Sequence, residues 1–396
     1  LLLVLLPLLS IAQEIKEYTP VRFSRESTVS NAWVEISSSA FKDNIKEMNK
    51  LLDGKSELCV VVKADAYGHG VKNMLPFLLE SNIKCLAFGS NEEARIIRES
   101  GFIGELMRVR AATYEEMKDV FPYQVEELIG NLQSAEFVNQ LAEENNTQIS
   151  IHLALNSAGM SRNGIEVTLD SGKKDITSIS KLKNIRIVGI MSHFPIEEEE
   201  DVKTGLEHFN RDIQWIFSNT GLNRKDIKLH VANSFAAIRV PEARLDMVRV
   251  GGALYGDMDP EIPQFKRVMS FKSEVAQVNE YPSGNTVGYD KTYTLTRDSR
   301  LANIPVGYSD GYRRVFSNKG HVLINGHKVP VLGKISMNTI MVDVTDFPDI
   351  KATDEVVLFG KQGNGEITQE EIQEINGALL ADLYTIWGKI NPRIIK

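Results

Sequence analysis

The stretch Val60–Gly70, "VVVKADAYGHG", decides how the rest of the chain is interpreted. Three consecutive valines are typical of a buried strand, and this strand delivers the amine of Lys63 at its end. A buried ammonium is costly unless it is paired or its pKa falls, so Lys63 is a candidate nucleophile that forms a Schiff base with a carbonyl. The alternative is a lysine whose stem packs at the strand end while its amine reaches water. The stretch alone leaves both interpretations open.

Short apolar runs of this kind recur as far as residue 251, in alternation with longer segments of helical periodicity. Strict alternation of strands and helices predicts a (β/α)8 barrel. A doubly wound open sheet is the alternative, but no G-x-G-x-x-G follows the first strand. The predicted strands are 58–63, 85–89, 105–109, 126–130, 149–155, 185–191, 227–232 and 246–251.

The composition changes near residue 266. Short β-type runs separated by turn signals such as Asn325-Gly326 indicate a second, mainly β domain. A terminal helix is predicted over 368–390, and the acidic run "EEEED" at 197–201 is predicted to be a solvated loop. The predicted organisation is a barrel over 31–265 and a C-terminal β domain over 266–396.

The first residues, "LLLVLLPLLSIAQ", form an apolar run with a small-x-small pattern at Ser10-Ile11-Ala12. This pattern is typical of a secretory signal peptide, and the run is shorter than the roughly 20 residues that span a bilayer. We predict a signal-peptide remnant over 1–12, an extended arm over 13–30, and a periplasmic protein without a membrane anchor after cleavage. The alternative is a buried helix or a lipid-facing anchor.

Charge and cysteine content narrow the function classes. A net charge of −8 and the lack of a basic tract argue against a nucleic-acid partner. The two cysteines, Cys59 and Cys85, predict one disulfide in an exported protein, whereas inside a cell they would be buried thiols. Cys85 opens the strand after that of Cys59, and adjacent parallel strands lie about 4.8 Å apart, within reach of a disulfide.

Chemistry-bearing residues collect where the predicted strands end, which is the reactive face of such barrels. Ser234, Gly251 and Gly252 follow the last two strands. The serine supplies a hydroxyl, and the glycines supply free N–H groups and let the backbone approach a phosphate closely, although glycine pairs are also common in plain turns. A phosphate cradle opposite a Schiff-base lysine points to pyridoxal 5'-phosphate. A lone histidine here is either part of this network or a satisfied core group. The residues are Lys63, Arg162, His193, Ser234, Arg249, Gly251 and Gly252.

Five separated motifs then resemble one family. The motifs "VVKADAYGHG", "HVANS", "MVRVGGALYG", "VGYSDGYRR" and "GKISMNTIMVDV", spread over residues 30 to 396, are similar to those of alanine racemases, fold type III of the pyridoxal phosphate enzymes. The resemblance implies amino-acid substrates, a barrel followed by a β domain, and a homodimer whose active sites borrow residues across the interface.

The resemblance also implies roles. Lys63 would hold the cofactor as a Schiff base, Arg249 would face its pyridine nitrogen, and His193 would orient the neighbouring network. Tyr289 would be the second base, given by the other subunit. No metal is expected. The phosphate would be held by Tyr67, Ser234, Gly251 and Gly252, and the substrate carboxylate site would be lined by Arg162 with Met337 and Asn338 of the other subunit.

The sequence departs from the usual family pattern at several places. Ala154, or Leu155 one residue on, stands where a carbamylated lysine is usual, so Arg162 lacks its anionic orienter; a bound chloride could replace it. Asn338 replaces an acid, and the entrance tyrosine is replaced near Ala381. Together with Asn156, Asn163 and Pro195, these changes resemble the exported, broad-specificity branch. We therefore expect racemisation of alanine, lysine, arginine and other amino acids.

Three alternatives remain at this stage. One is a racemase specific for alanine. A fold-type III decarboxylase would carry an acid at the pyridine nitrogen and a cysteine in the C-terminal domain, whereas this sequence has Arg249 and no cysteine after residue 85. A non-catalytic pyridoxal phosphate carrier would resemble the barrel alone.

Overall fold

A computed structural model describes residues 29–258, 262 and 264–396 of the chain. The predicted signal peptide at 1–12 and nearly all of the arm at 13–30 lie outside the described residues. No helix within the described ranges combines the length and the apolar character that crossing a bilayer requires.

The first part of the chain alternates strands with helices, as expected. Its strands are β1 (Ala32–Ile36), β2 (Glu57–Val61), β3 (Cys85–Phe88), β4 (Glu105–Arg108), β5 (Glu127–Ile129), β6 (Ile149–Ala154), β7 (Ile185–Met191), β8 (Lys228–His230) and β9 (Met247–Val250). Its helices are α1 (Ser38–Leu52), α2 (Lys63–Tyr67), α3 (Val71–Glu80), α4 (Asn91–Glu99), α5 (Tyr114–Val120), α6 (Leu132–Glu144), α7 (Asp170–Ile179), α8 (Glu199–Asn219), α9 (Ser234–Arg239) and α10 (Gly252–Tyr255).

Strands β2 to β9 close into a barrel. They form two parallel sheets, with the orders β4-β3-β2-β9 and β5-β6-β7-β8. A bridge between Met107 and Glu126 joins the sheets at one seam, and the Arg249 N–H donates to the Ala232 carbonyl at 3.0 Å at the other. The eight predicted strands and the barrel are therefore confirmed. The carboxyl ends of all eight strands meet at one mouth.

A disulfide links two neighbouring strands of the barrel below the mouth. Cys59 and Cys85 are directly paired residues of β2 and β3, and their sulfurs are bonded, as predicted. Cys59 is fully buried and packs with Val61, Ala87 and Met247. The bridge thus fixes two neighbouring strands beneath the strand end that carries Lys63.

The last part of the chain is mainly β. Its strands are β10 (Met269–Glu274), β11 (Gln277–Tyr281), β12 (Thr286–Val287), β13 (Tyr293–Thr294), β14 (Ser299–Ile304), β15 (His321–Ile324), β16 (His327–Leu332), β17 (Ile340–Asp343), β18 (Glu355–Gln362), β19 (Gly365–Ile367) and β20 (Arg393–Ile395), with helices α11 (Gln369–Asn376) and α12 (Ala381–Ile390). The main sheet has the order β11-β14-β17-β16-β15-β18-β10-β1-β20, and β19 pairs with β18.

Three details differ from the sequence predictions. Strand β1 pairs with β10 and β20, so by its hydrogen bonds it belongs to the C-terminal sheet although the predicted barrel span 31–265 includes it. The prediction of a single terminal helix over 368–390 is wrong. Gly377 adopts a left-handed φ of 68° and ends α11, and α12 is a separate helix. The acidic run 197–201 is only partly a loop, since α8 begins at Glu199, where acidic groups suit the helix dipole.

Candidate active site

Lys63 stands on a strained turn at the mouth of the barrel. Directly after β2, the residues Ala64 to Tyr67 have φ values from 53° to 56°, which is the left-handed region. Non-glycine residues pay about 1–2 kcal/mol each for this conformation, and such strain concentrates at functional sites. The turn brings Lys63 and Tyr67 to the same end of the barrel.

A set of polar contacts, here called the turn clamp, holds this backbone. The Asp65 N–H donates to Glu93 Oε1 at 2.9 Å, and Asp65 Oδ1 accepts from the Val71 N–H at 2.8 Å. Arg393 Nη2, from the last strand β20, donates to Asp65 Oδ2 at 2.5 Å. Glu93 also accepts from the N–H of Gly89 at 2.7 Å. The clamp thus ties the lysine turn to a barrel helix and to the C-terminal sheet.

The charges around Lys63 favour its neutral amine. Its side chain is open to the mouth, yet the surrounding barrel atoms desolvate the amine and lower its pKa, and Arg162 and Arg249 lower it further. Glu93 opposes this effect without cancelling it. Burial and then Arg249 lower the pKa of His193 to about 3, so its ring is neutral. The larger free-amine fraction suits a Schiff-base lysine.

The Arg249 side chain is buried and makes several hydrogen bonds to the protein. It is 5% exposed, and its Nη1 and Nη2 donate to the carbonyls of His230 and Ser192, each at 2.8 Å. Among the residues that the structure describes, none accepts a hydrogen bond from its Nε. Burial and Arg162 lower its pKa to about 9, which leaves the guanidinium charged at neutral pH. A ligand acceptor such as a ring nitrogen would therefore meet a fixed donor.

Tyr67, Ser234 and the glycine pair form one cradle. Ser234 Oγ accepts from the N–H groups of Gly251 and Ala253 at 3.3 and 3.2 Å. A Cβ at Gly251 would lie 2.2 Å from the Tyr67 hydroxyl oxygen, so only glycine leaves that hydroxyl in place. Burial raises the pKa of Tyr67, which keeps its phenol protonated. The arrangement offers hydroxyls and backbone N–H groups to an anion.

Arg162 lies on the loop after β6, beside a cavity of about 420 Å³ that Asn156 and Asn163 also line. The Asn163 Oδ1 accepts from Arg162 Nε at 3.1 Å, and Asn156 Nδ2 donates to Glu166 at 2.9 Å. Ala154 is buried at the end of β6, and Pro195 is exposed on the loop after β7. The predicted specificity residues of the barrel therefore surround its mouth.

The predicted residues of the β domain are placed differently. Tyr289 is 63% exposed and Met337 55% exposed, while Asn338 Nδ2 donates to Ser309 at 2.8 Å. Within the described ranges no hydrogen bond joins these three side chains to the barrel mouth. Ala381 opens α12, three residues before Tyr384, whose hydroxyl donates to Asp257 at 2.8 Å.

Sequence reasoning missed the polar residues that support the site. Glu93 and Arg393 of the turn clamp carry no local signal. His152 and His230, which lie beneath Arg249, do carry one: each is a polar residue inside an otherwise apolar strand run, "ISIHLAL" and "IKLHVA". A buried polar residue in a strand requires a hydrogen-bond partner, so this pattern is a signal for a buried polar contact.

Comparison with known proteins agrees with this geometry. Residues 36–259 match the family model described as alanine racemase, N-terminal domain, and residues 268–395 match alanine racemase, C-terminal domain. A broad specificity amino-acid racemase of Pseudomonas taetrolens is 58% identical over 93% of this chain and 90% of that protein. A lysine racemase of Proteus mirabilis is 52% identical over 99% of this chain and 98% of that protein.

A solved structure of alanine racemase from Bartonella henselae, with covalently bound pyridoxal phosphate, superposes with a TM-score of 0.80 at 26% identity. The match covers 93% of this chain and all of that one (100%).

Proposed function

The chain belongs to the alanine racemase family, and from that premise we propose that it racemises free amino acids with pyridoxal 5'-phosphate as its cofactor. One observation carries the proposal: a lysine with a lowered pKa, a buried arginine whose Nε has no acceptor among the described residues, and an anion cradle share one barrel mouth. These are the three groups that a pyridoxal phosphate enzyme of this kind must supply.

The residues present fit the cofactor. Lys63 would hold it covalently, the Tyr67–Ser234–Gly251–Gly252 cradle would hold its phosphate, and Arg249 Nε would face its ring nitrogen. When bound, pyridoxal phosphate supplies an electron sink for the negative charge that develops at the substrate Cα. Arg249 retains its proton and so leaves the ring nitrogen unprotonated. The sink is then weaker, which favours return of the proton to Cα over transamination.

Racemisation needs one base on each face of the substrate Cα. Lys63 serves one face, and its lowered pKa lets it accept and return a proton. We assign the other face to Tyr289 of the partner subunit in a homodimer. The 63% exposure of Tyr289 supports this assignment, because a residue that acts in a neighbouring subunit must stand out from its own chain. Met337 and Asn338 of the same subunit would line the carboxylate site with Arg162.

We propose that the substrate range is broad and includes alanine, lysine and arginine. The similarity to a broad specificity amino-acid racemase and to a lysine racemase supports this, as does the cavity of about 420 Å³ beside Arg162. A chloride near Arg162 would replace the usual carbamylated lysine, whose place Ala154 takes; an anomalous-scattering map without a peak there would oppose this. The specificity set is Ala154, Asn156, Asn163, Pro195 and Ala381.

We also propose a periplasmic location after signal cleavage. The Cys59–Cys85 disulfide supports an oxidising compartment, because cytosolic thiols stay reduced.

The central experiment incubates the purified protein with a panel of L-amino acids and separates the products by chiral chromatography. We expect D-enantiomers of alanine, lysine and arginine, and borohydride reduction should fix the cofactor on the peptide that spans 60–70. Release of amines instead of D-amino acids would indicate a decarboxylase. Racemisation of alanine alone would indicate the specific enzyme, and absence of label on that peptide would refute the cofactor assignment.

A further inference from the structure

A row of buried side chains continues from Arg249 into the barrel. Arg249 Nη1 lies 2.7 Å from His230 Nδ1, His230 Nε2 lies 2.8 Å from His152 Nδ1, and His152 Nε2 lies 2.7 Å from Glu126 Oε2. Arg249 and both histidines are at most 5% exposed. We call these four side chains the Arg249 relay.

The two ends of the relay require the same direction for its hydrogen bonds, because the Arg249 guanidinium can only donate and the Glu126 carboxylate can only accept. A guanidinium can only donate, so His230 Nδ1 must accept and the proton of this ring must be on Nε2. His230 Nε2–H then donates to His152 Nδ1, which places the His152 proton on Nε2. That proton is donated to the Glu126 carboxylate. Both rings are therefore neutral Nε2–H tautomers, and burial together with Arg249 lowers the pKa of His230 well below its ordinary value.

A glycine makes the relay sterically feasible. His152 is on β6 and His230 on β8, so β7 lies between them. The residue of β7 that pairs with His152 is Gly189, and a Cβ there would lie 2.1 Å from His152 Nδ1 and 3.0 Å from His230 Nε2. Any side chain at Gly189 would force the two rings apart.

The relay ends at the opposite end of the barrel. Glu126 lies just before β5, at the seam with β4, and its side chain is 18% exposed beside a cavity of about 440 Å³ that Arg186 also lines. Burial alone would raise its pKa, but the hydrogen bond from His152 prevails and lowers it, so Glu126 is an anion.

We infer that Glu126, His152 and His230 are positioning residues for Arg249. Glu126 accepts at the far end and thereby prevents the opposite polarity, in which His230 would present Nδ1–H to the guanidinium donor. With that polarity fixed, Arg249 is held with Nε toward the mouth. This inference rests on the proposed function only where it assigns the ring nitrogen of the cofactor to that Nε.

The test compares four variants of the holoenzyme. Glu126→Leu removes the terminal acceptor, Glu126→Gln keeps an acceptor oxygen, and Gly189→Ala separates the rings. Glu57→Gln is the matched control, because Glu57 is a partly exposed carboxylate at the same end of the barrel and Lys228, its partner, keeps Glu105. If Gly189→Ala fails to fold, the two variants at partly exposed Glu126 still decide the question.

Two readouts are used. Nitrogen NMR of histidine-labelled protein should show His152 and His230 with the proton on Nε2. Glu126→Leu should leave the buried His152 Nε2–H without its acceptor, a cost that offsets the preference set by Arg249, so we expect a mixture of tautomers at His152. Glu126→Leu and Gly189→Ala should lower kcat for alanine roughly 3- to 30-fold with little change in KM, the range of remote coupling effects. Glu126→Gln should recover most of this loss, and Glu57→Gln should match the wild type.

A proton on Nδ1 of either ring in the wild type would overturn the relay. So would a normal kcat in Glu126→Leu once its tautomer has changed, because the polarity would then not matter to Arg249. If no variant and no wild-type sample racemises any amino acid while the tautomers are as stated, the proposed function fails and the relay polarity stands.

Discussion

The two halves of the candidate site differ in how complete they are within one chain. The barrel half is assembled: Arg249 has five protein acceptors, Ser234 accepts from two N–H groups, and the turn clamp holds the lysine turn. The β-domain half presents Tyr289 and Met337 largely to solvent. Within one chain, the side chains at the barrel mouth are held by many hydrogen bonds, whereas Tyr289 and Met337 of the β domain are exposed.

This difference corresponds to two tasks: holding a bound group in one orientation, and acting in a neighbouring copy of the chain. Preorganisation is useful where a group must be held in one orientation, since fixed donors cost no reorganisation when charge develops. Exposure is useful where a residue acts in a neighbouring copy. We therefore expect damage in the barrel half to remove cofactor and activity together, and damage in the β-domain half to remove activity alone.

The largest effect is expected from Lys63→Ala. Without the amine, covalent attachment of pyridoxal phosphate and racemisation should both be lost, because one group serves both. The measurement is borohydride fixation of the cofactor together with chiral analysis of alanine. Lys72→Ala, an exposed lysine on the following helix α3, is the control and should behave as the wild type. Retained label in Lys63→Ala would place the attachment elsewhere.

Tyr289→Phe should separate cofactor binding from activity. The visible absorption of the bound cofactor should stay, while racemisation should fall by roughly 10²–10⁴, the contribution of a general base. Tyr293→Phe, four residues on, is the control. Full activity of Tyr289→Phe in both directions would show that the second base is another residue.

Lys63→Ala and Tyr289→Phe together also test whether one active site combines the barrel half of one subunit with the β-domain half of the other. In hybrid dimers of Lys63→Ala with Tyr289→Phe, one of two sites combines an intact lysine with an intact tyrosine. Random mixing should therefore restore about a quarter of wild-type activity. No recovery after verified subunit exchange would contradict a shared site.

The strands of the barrel, and the end of the barrel at which the predicted residues lie, could be predicted from the sequence for a physical reason. Apolar runs set the eight strands, and barrel geometry then brings the strand ends of Lys63, Ser234 and Arg249 together whatever the exact register. The disulfide was predicted for the same reason, since Cys59 and Cys85 lie on consecutive strands.

What depends on register or on backbone strain was not predicted. That Gly189 stands opposite His152, and so admits His230, follows from the pairing of β6 with β7. The left-handed turn after Lys63 has only a weak local signal, because aspartate tolerates positive φ but the alanines and the tyrosine around it do not favour it. Arg393 meets Asp65 across 328 positions of sequence, a distance over which no local pattern extends.

Arg393→Ala should loosen the barrel half without dismantling it. The turn keeps its contacts with Glu93 and Val71 but loses its link to β20, so Lys63 should sample more positions. We expect cofactor attachment to slow roughly tenfold, as for modest misplacement of a reacting group. Stopped-flow absorbance during reconstitution measures this. Lys396→Ala, on the same terminal segment and paired with Glu35 at 3.6 Å, is the control.

Arg393→Lys distinguishes positioning from simple stability. A lysine can keep the charge pair with Asp65, so it should recover part of the attachment rate. Equal rates in Arg393→Ala and the wild type would show that the clamp is dispensable.

The smallest effect is expected where the two halves approach, at Ala381. Its side chain begins α12 three residues before Tyr384, and residues three apart share a helix face, so a larger side chain at Ala381 extends toward the region of Asp257. Ala381→Tyr should narrow the entrance, which costs long substrates more than short ones. We expect kcat/KM for lysine and arginine to fall about five-fold relative to alanine, which corresponds to about 1 kcal/mol, the lower end of the cost of poor steric fit in a pocket. Ala378→Tyr, three residues earlier in the chain and outside both α11 and α12, is the control.

An equal loss for all substrates in Ala381→Tyr would show that the residue affects the cofactor site rather than the entrance. Strict alanine specificity of the unmodified protein would remove the basis of the comparison.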